Sequence, residues 1–247
     1  MSIVTSLTVA ESKRLIAKGV AQADFVRRAM EEGTLAIGSG STNGYVVEEI
    51  TGEKFDKKTF VTGRTLPAGY SGPGFSYSHP DLVIRKGERL SIKAAEALSE
   101  MGPGDVYAKG VNALNYERKQ AGVLIGHPTG GGVGAALGTV MARRICYLHP
   151  VGLEKSVSAD LDEVAEALNA DAAGQGPTLW VVPGCIFTEI EALRVLAGVE
   201  TVPVAAGGIG GGEGAIWLGI SGSSEQLDRA KGVIESVRGE PPFTGAE

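Results

Sequence analysis

The sequence has few of the residues that mark disulfide-rich or metal-binding proteins. Only two of its 247 residues are cysteines, Cys146 and Cys185, and their spacing matches no Cys-x-x-Cys motif. We therefore expect no disulfide framework and take a reducing, cytoplasmic environment as the default. The three histidines form no i, i+4 pair and no Cys/His cluster, so no metal site is expected.

Long apolar runs and a basic surface are also missing. No apolar stretch approaches the roughly 18 residues that span a membrane, and the first residues do not resemble a secretory signal, because charged residues follow Val9 at once. The net charge of −6 argues against nucleic-acid binding. There is no GxxxxGK[ST] loop, and residues 38–44 lack the GxGxxG spacing, so we expect no cofactor.

Glycine is the residue in excess, with 37 of 247 positions, about twice the usual share. The glycines cluster in three loops at residues 38–44, 130–134 and 207–214, and each loop follows an apolar run of strand length. Glycine-rich backbone is typical of places where the chain approaches a ligand or another segment closely. Together the three loops predict a small-molecule pocket.

Strand-like and helix-like segments alternate along most of the chain. This alternation is typical of an α/β protein with a layered, mostly parallel sheet and helices on both faces. Ligands bind such sheets at the carboxyl ends of the strands, where we expect the glycine loops to lie. We assign residues 1–157 to the α/β core and residues 158–247 to its continuation or to a small α+β C-terminal subdomain. An amphipathic helix should run from Val9 to residue 31, with a kink or break at Gly19.

The first glycine loop, residues 38–42, reads Gly-Ser-Gly-Ser-Thr. Residues 35–37 predict a buried strand before it, and residues 45–50 predict a short helix after it, with Glu48 and Glu49 on its outer side. Free amides at a helix N-terminus, with hydroxyl groups beside them, can hold a phosphate or a carboxylate. The alternative is a tight strand–helix turn in which Ser or Thr only caps the helix.

Residues 33–42, Gly-Thr-Leu-Ala-Ile-Gly-Ser-Gly-Ser-Thr, resemble the opening of type A ribose-5-phosphate isomerases. That superfamily also includes glucosamine-6-phosphate deaminases and coenzyme A transferases. The resemblance extends over residues 9–157 and implies an isomerase/coenzyme A transferase-like fold and a homo-oligomer. In family order, residues 105–115 stand in the place of an acidic strand-end motif and residues 130–132 in that of a Lys-Gly-Gly-Gly motif. Lys155 stands near a substrate-site lysine.

The chain departs from the isomerase pattern where that pattern carries its chemistry. Residues 109–113, Lys-Gly-Val-Asn-Ala, replace the acidic pair, and residues 127–129, His-Pro-Thr, replace the lysine before the glycines. Moving a proton next to a carbonyl needs a base, which Asn112 cannot be. We therefore predict that the protein is not an authentic ribose-5-phosphate isomerase. The anion site is expected to persist with these ligands: Ser39, Gly40, Ser41, Thr42, Lys109, Asn112, Gly130, Gly131, Gly132 and Lys155.

Three residues are candidates for catalysis. His127 lies at a predicted strand end beside a glycine loop and could act as a general base; otherwise it is a loop histidine bonded to backbone. Cys185 opens a predicted helix, a setting that can lower a thiol pKa; otherwise it is a small buried residue. Glu213 lies in the third glycine loop, and coenzyme A transferases use a glutamate nucleophile, although Glu213 does not align with theirs.

These observations leave three functions open. The first is binding of a small phosphorylated or carboxylated metabolite by an isomerase-like enzyme of altered chemistry. The second is a non-catalytic metabolite-binding or sensor protein. The third is a structural homo-oligomeric subunit, suggested by the glycine-rich region from Val199 and by the long loop at residues 63–80, which is either functional or an oligomer contact. No nucleic-acid or membrane partner is expected.

Overall fold

The computed structural model describes residues 2–62, 65–66, 69–72, 74–170 and 174–243. Within these ranges the chain forms helices, strands and two 3-10 turns, at Lys57–Phe60 and Leu153–Lys155. The helices are α1 (Val9–Gln22), α2 (Asp24–Glu32), α3 (Ser41–Thr51), α4 (Ala94–Ala97), α5 (Gly131–Ala142), α6 (Leu161–Ala170), α7 (Glu189–Ala197) and α8 (Ser224–Glu235). The strands are β1 (Ser2–Leu7), β2 (Thr34–Ile37), β3 (Leu82–Arg85), β4 (Glu88–Leu90), β5 (Val106–Ala108), β6 (Ala113–Asn115), β7 (Gln120–Ile125), β8 (Cys146–Pro150), β9 (Thr178–Val182), β10 (Cys185–Phe187), β11 (Glu200–Ala206) and β12 (Ile216–Ser221).

The main sheet has six strands in the order β10-β8-β5-β2-β3-β4. The first four strands are parallel to one another, whereas at the other edge β3 is antiparallel to β2 and β4 is antiparallel to β3. Between β3 and β4, Lys86 and Gly87 both have positive φ, 49° and 83°, as in turns that reverse the chain within two residues. The predicted α/β class is confirmed, but the sheet is mixed, because this hairpin adds antiparallel strands to a parallel core.

Two further sheets are antiparallel and three-stranded, with the orders β1-β12-β11 and β6-β7-β9. Residues beyond 157 supply β10 to the main sheet and β9 to the sheet of β6 and β7. They also supply β11 and β12, and β12 pairs with β1 near the start of the chain. Residues 2–157 and the later part of the chain therefore both contribute strands to every sheet.

Two predictions about the second half of the chain are wrong. Cys185 lies in strand β10, and helix α7 begins only at Glu189, with Thr188 as its N-cap. The strand has three residues and merges with the apolar pattern of the helix, so periodicity alone cannot separate them. The third glycine loop joins β11 to β12 in an antiparallel hairpin, and the second follows β7, which is antiparallel to both of its neighbours, so neither loop is at the end of a parallel strand. The short length of the third loop excludes a parallel crossover, which needs about a dozen residues or more.

Helix α1 lies between α3 and α7 and supplies Leu15, Ile16 and Val20 to the apolar core, all fully buried. It passes straight through Gly19 and ends at Gln22, and α2 begins after Ala23. The predicted break is therefore placed four residues too early. None of the described helices is both long and apolar enough to cross a membrane.

Gly19 has a packing role. A Cβ atom at this position would lie 2.6 Å from both Cα and Cβ of Ala192 in α7. The absence of a side chain at Gly19 is what allows α1 and α7 to approach each other this closely.

We expect Gly19→Ala to lower the free energy of unfolding by about 1–3 kcal/mol, because the added methyl overpacks the contact between α1 and α7. The matched control is Gly138→Ala, in α5, where a Cβ would meet nothing within 4 Å. That change should instead add about 0.5–1 kcal/mol through helix propensity. Urea unfolding followed by circular dichroism measures both. A Gly19→Ala variant as stable as the wild type would refute the close-packing role.

Candidate functional site

One pocket of about 660 Å³ lies where the loops after β2 and β5 meet the first turns of α3 and α5. All the predicted anion-binding residues line it, and so does His127. Those residues are Ser39, Gly40, Ser41, Thr42, Lys109, Asn112, Gly130, Gly131, Gly132 and Lys155. Cys185 and Glu213 are not among the described residues that line it. The first two glycine loops therefore meet at one place, and the third lies elsewhere.

The first glycine loop connects β2 directly to α3. Helix α3 begins at Ser41, four residues earlier than predicted, and its N-cap is Gly40, which has no side chain to bond the first turn. The interpretation in which Ser or Thr caps this helix is therefore wrong. The first amides of an α-helix have no acceptor inside the helix, so Ser41 and Thr42 present free N–H groups beside the pocket.

Two polar side chains in the first turn of α3 have different roles. The amide Nδ2 of Asn43 donates to the carbonyl oxygens of Gly38 (2.8 Å) and Ala108 (3.3 Å), which fixes the loop onto the end of β5. The hydroxyl of Thr42 is buried and has no hydrogen-bond partner among the described residues. A buried hydroxyl without a partner is costly, and here it belongs to a residue that lines the pocket.

The second glycine loop, residues 130–134, forms the start of α5. Gly130 is the N-cap, with φ of 78° and no side-chain cap, and the helix begins at Gly131, whereas the sequence pattern after the glycines predicts a helix that starts only at Ala135. At Gly134 a Cβ would lie 2.1 Å from the carbonyl oxygen of Thr129, so the loop folds tightly against the helix. The uncapped N-termini of α3 and α5 thus both lie at the pocket, and each adds positive potential there.

Four lysines from different parts of the chain line the pocket, and three of them, Lys13, Lys109 and Lys155, are at least partly buried. Lys109 Nζ donates to the carbonyl oxygen of Ser39 (3.1 Å), and Lys155 Nζ donates to that of Val111 (2.8 Å). Lys13, from α1, is 8% exposed. Within the described part of the chain, none of the three forms an ion pair with a carboxylate. The ammonium groups of Lys109 and Lys155 are therefore only partly satisfied, by backbone oxygens.

Burial disfavours the charged form of these lysines. It lowers the pKa of Lys13 to about 8, helped by the charge of Lys155 and opposed by Glu154. Burial also lowers the pKa values of Lys109 and Lys155, against the weaker influence of Asp81 and Glu154 respectively. An anion in the pocket would counter this effect by favouring the protonated form of each lysine.

Asp81 is the one carboxylate among the described lining residues, against four lysines when Lys93 is included. Its oxygens accept hydrogen bonds from the hydroxyl of Tyr77 and from the backbone N–H of Ala94 (2.8 Å). The lining is thus positive in a protein of net charge −6. Sequence reasoning gave no site role to Lys13 or Asp81, because neither lies in a glycine loop; only the fold brings them there.

His127 is exposed, and its Nδ1 accepts a hydrogen bond from the backbone N–H of Thr129 (3.2 Å), with the Thr129 hydroxyl at 2.9 Å. When Nδ1 accepts, the proton of the neutral imidazole lies on Nε2. In this arrangement the Nδ1 lone pair is engaged by Thr129 and is not free to act as a base. The geometry matches the second interpretation of His127 from the sequence, in which it is a loop histidine that is hydrogen-bonded to the backbone.

Asn112 lines the pocket, but part of its side chain is already in use. Its side-chain Oδ1 accepts a hydrogen bond from the backbone N–H of Leu124 (3.1 Å), and its backbone N–H donates to the carbonyl oxygen of Gly122 (2.8 Å). These bonds hold the loop after β5 against strand β7, so the first role of Asn112 is to shape the pocket wall.

The other two catalytic candidates lie outside the pocket. Cys185 is exposed on β10, and its Sγ lies 3.8 Å from that of Cys146. Glu213 is exposed in the β11–β12 hairpin, where its carboxylate accepts the N–H of Gly211 (2.9 Å). The structure therefore does not bring either residue to the glycine loops of the pocket.

The long loop predicted at residues 63–80 reaches the pocket. Residues 63, 64, 67, 68 and 73 lie outside the described part of the chain, but Thr65, Leu66, Phe75 and Tyr77 line the cavity. The ring of Phe75 stacks on that of Phe243, with centroids 6.4 Å apart. The described part of this loop thus adds Leu66 and aromatic rings to the lining of the pocket.

No protein-family model, curated protein or solved structure was found to match the chain. The structure itself therefore defines the class: a mixed α/β protein in which two strand–glycine–helix connections meet at a lysine-lined pocket.

A buried ionic cluster fixes α3 behind the pocket. Arg14 of α1, 3% exposed, donates to Glu48 and Glu49 of α3 and to Glu240. Glu48 is also buried and accepts from Lys57 (3.0 Å), so the prediction that it lies on the outer side of the helix is wrong. Burial raises the pKa of Glu48, but the hydrogen bonds from Arg14 and Lys57 outweigh it and hold the pKa below its usual value.

We expect Glu48→Gln to lower the free energy of unfolding by about 3 kcal/mol at pH 7, because it removes one partner of a buried ion pair. The lowered pKa means that the ionised carboxylate stabilises the fold above pH of about 4.5 and that this contribution disappears as the pH falls through the folded-state pKa. The difference between wild type and variant should therefore shrink in acid.

Urea unfolding at several pH values measures this difference. The matched control is Glu100→Gln, which removes an exposed partner of Arg85 and should cost less than about 1 kcal/mol. Equal losses for the two variants would contradict the role assigned to the buried pair.

Proposed function

We propose that the pocket binds a small metabolite that carries a phosphate or a carboxylate. The observation that carries this proposal is the charge of the lining: four lysines and one aspartate among the described residues, with Lys13, Lys109 and Lys155 paired to no carboxylate. Burying positive charge without a partner is costly, and a bound anion offsets that cost.

The surrounding groups support an oxyanion ligand in particular. The free amides of Ser41 and Thr42, the unpartnered Thr42 hydroxyl and the Lys109 ammonium group all belong to the first glycine loop or contact it. Phosphate and carboxylate oxygens accept several hydrogen bonds at once, so such a set of donors suits them. The volume of about 660 Å³ lies in the usual range for small-ligand sites.

Two versions of this function differ in chemistry. The resemblance to sugar-phosphate isomerases favours an enzyme of altered chemistry that moves a proton next to a carbonyl, with His127 as the base. The hydrogen bond at His127 Nδ1 and the two bonds accepted by Asp81 favour the second version, a non-catalytic metabolite-binding or sensor protein. Turnover of any sugar phosphate by the purified protein would decide for the enzyme.

Homo-oligomerisation stays a prediction, and one surface supports it. The outer face of the β1-β12-β11 sheet exposes Val4, Val202, Val204 and Trp217. Exposed apolar patches of this kind often mark contacts between protein chains. The cytoplasmic location also stays a prediction from the cysteine content.

We expect thermal-shift titrations with sugar phosphates, coenzyme A thioesters and small carboxylates to identify a stabilising anion, with unphosphorylated sugars as the matched controls. A ligand at 100 times its Kd stabilises by about 2.7 kcal/mol. The double variant Ser41→Ala, Thr42→Ala should weaken binding at least about tenfold, since a hydrogen bond to a charged group contributes about 1.5–3 kcal/mol.

Ser224→Ala is the control for this experiment, because Ser224 occupies the first position of α8, as Ser41 does in α3, but is exposed and does not line the pocket. It should leave the affinity unchanged. Equal affinity in the double variant and the wild type would exclude the first glycine loop as the anion site.

We further expect the affinity for that anion to fall as the pH rises through about 8, because Lys13, whose pKa is about 8, then loses its charge. The sign follows from the protonated lysine being the form that attracts an anion. Lys13→Arg should remove this decrease in affinity near pH 8, since arginine stays charged. Lys13→Gln should bind the anion at every pH as weakly as the wild type does above pH 8. Calorimetric titration from pH 6.5 to 9.5 measures the affinity. If the affinity of Lys13→Arg fell near pH 8 as it does in the wild type, the titrating group would not be Lys13.

A further inference from the structure

The two cysteines of the chain lie side by side, although 38 residues separate them in sequence. Cys146 begins β8 and Cys185 begins β10, and these strands are parallel neighbours at one edge of the main sheet. Cys185 pairs with Leu148, two residues after Cys146, so the two cysteines are diagonal neighbours on the same face. Their Sγ atoms are 3.8 Å apart, and the Cys146 thiol donates to the Cys185 sulfur.

The pair has the properties of a reactive dithiol. Cys185 is exposed, so a small oxidant can reach it, and Cys146 is half-buried behind it. The hydrogen bond from Cys146 lowers the pKa of Cys185, against the effect of burial, and so favours the thiolate form of the exposed cysteine. The thiolate is the nucleophilic form of cysteine. Cys185 is thus suited to attack a disulfide, and Cys146 is placed to attack the mixed disulfide that then forms on Cys185.

The turn before β10 holds Cys185 in this position. At Gly184 a Cβ would lie 2.4 Å from the carbonyl oxygen of Tyr147 and 2.5 Å from Nε2 of His149. The carbonyl of Pro183 is also bonded to His149 Nε2 (3.1 Å). These contacts seat the turn directly on β8 and keep the two sulfurs together.

We propose that Cys146 and Cys185 form a reversible intramolecular disulfide when the protein meets a low-molecular-weight disulfide such as oxidised glutathione. The thiolate of Cys185 attacks one sulfur of the oxidant, forms a mixed disulfide and releases one glutathione thiolate. Cys146 then loses its proton and attacks the Cys185 sulfur, which releases the second glutathione. Two protein thiols are oxidised and one glutathione disulfide is reduced to two thiols.

Closing the bond requires a modest movement. A disulfide has its sulfurs about 2 Å apart, so the two Sγ atoms must approach by roughly another 2 Å. The first residue of β10, at the sheet edge, can supply this shift, because only β8 pairs with this strand among the described residues. The proposal does not depend on the pocket, since neither cysteine is among the described residues that line it.

The test is to incubate the reduced full-length protein with oxidised glutathione at pH 7 and to follow its intact mass and its free thiols. The expected product is a monomer that has lost two hydrogen atoms, carries no glutathione and regains both thiols with dithiothreitol. A stable glutathione adduct on the wild type, a disulfide between two chains, or unreacted thiols would each overturn the proposal.

Two single variants separate the steps. Cys146→Ser should stop at the glutathione adduct on Cys185, because the resolving thiol is gone. Cys185→Ser should react at least about tenfold more slowly than the wild type, because the remaining thiol of Cys146 is half-buried and burial raises its pKa. Circular dichroism checks that both fold. Equal adduct formation on the two variants would contradict the assignment of Cys185 as the attacking thiol.

Discussion

The rest of this structure depends on the ion pairs that the guanidinium group of Arg14 forms with three glutamates. This group lies almost completely buried, where a charge without partners would cost several kcal/mol, and its partners come from α3 and from Glu240 near the described end of the chain. Because Glu48 also binds Lys57, the cluster ties α1, α3 and the following 3-10 turn into one unit. The position of α3 is thereby set from behind, and its first turn carries the glycine loop that lines the pocket.

The pocket uses the opposite electrostatic arrangement. Behind α3, each buried charge meets a partner of opposite sign, whereas Lys109 and Lys155 meet only backbone carbonyls. Burial disfavours the charged groups both in the Arg14 cluster and in the pocket. In the cluster, partners of opposite charge offset this cost, whereas Lys109 and Lys155 have no such partner. This difference distinguishes a structural cluster from a candidate ligand site more clearly than the number of charges does. It also explains why binding and pH are expected to be linked at Lys13.

The elements around the first two glycine loops could be predicted from the sequence because their signals are local. The apolar residues before Gly38 form β2, and α1 starts at Val9 as predicted, where Thr8 and Glu11 form its capping box. Helices α3 and α5 begin earlier than their sequences predict, at Ser41 and Gly131. Glycine and serine are weak helix formers, so the sequence pattern does not mark these first turns as helical, and only the free amides in the structure show them.

The remaining features depend on contacts between distant parts of the chain. Glu48 was expected to face solvent because a charged residue usually does, and only the arrival of Arg14 and Lys57 makes its burial favourable. Lys13 and Asp81 reach the pocket from segments with no glycine loop. The 3.8 Å separation of the two cysteines follows from the order of β8 and β10 in the sheet, which no local pattern encodes.

The pairing of β1 with β12 has a consequence for how this protein is made. Leu7 pairs with Ile216, so the first strand leaves the ribosome about 200 residues before its partner, a delay of roughly 10–40 s at about 5–20 residues per second. During that time β1, in which Ile3, Val4 and Leu7 lie among polar residues, has no partner on either edge. Unpaired strand edges are templates for wrong pairing between nascent chains. Yield during synthesis should therefore depend more on conditions that protect the nascent N-terminal strand than on the stability of the finished fold.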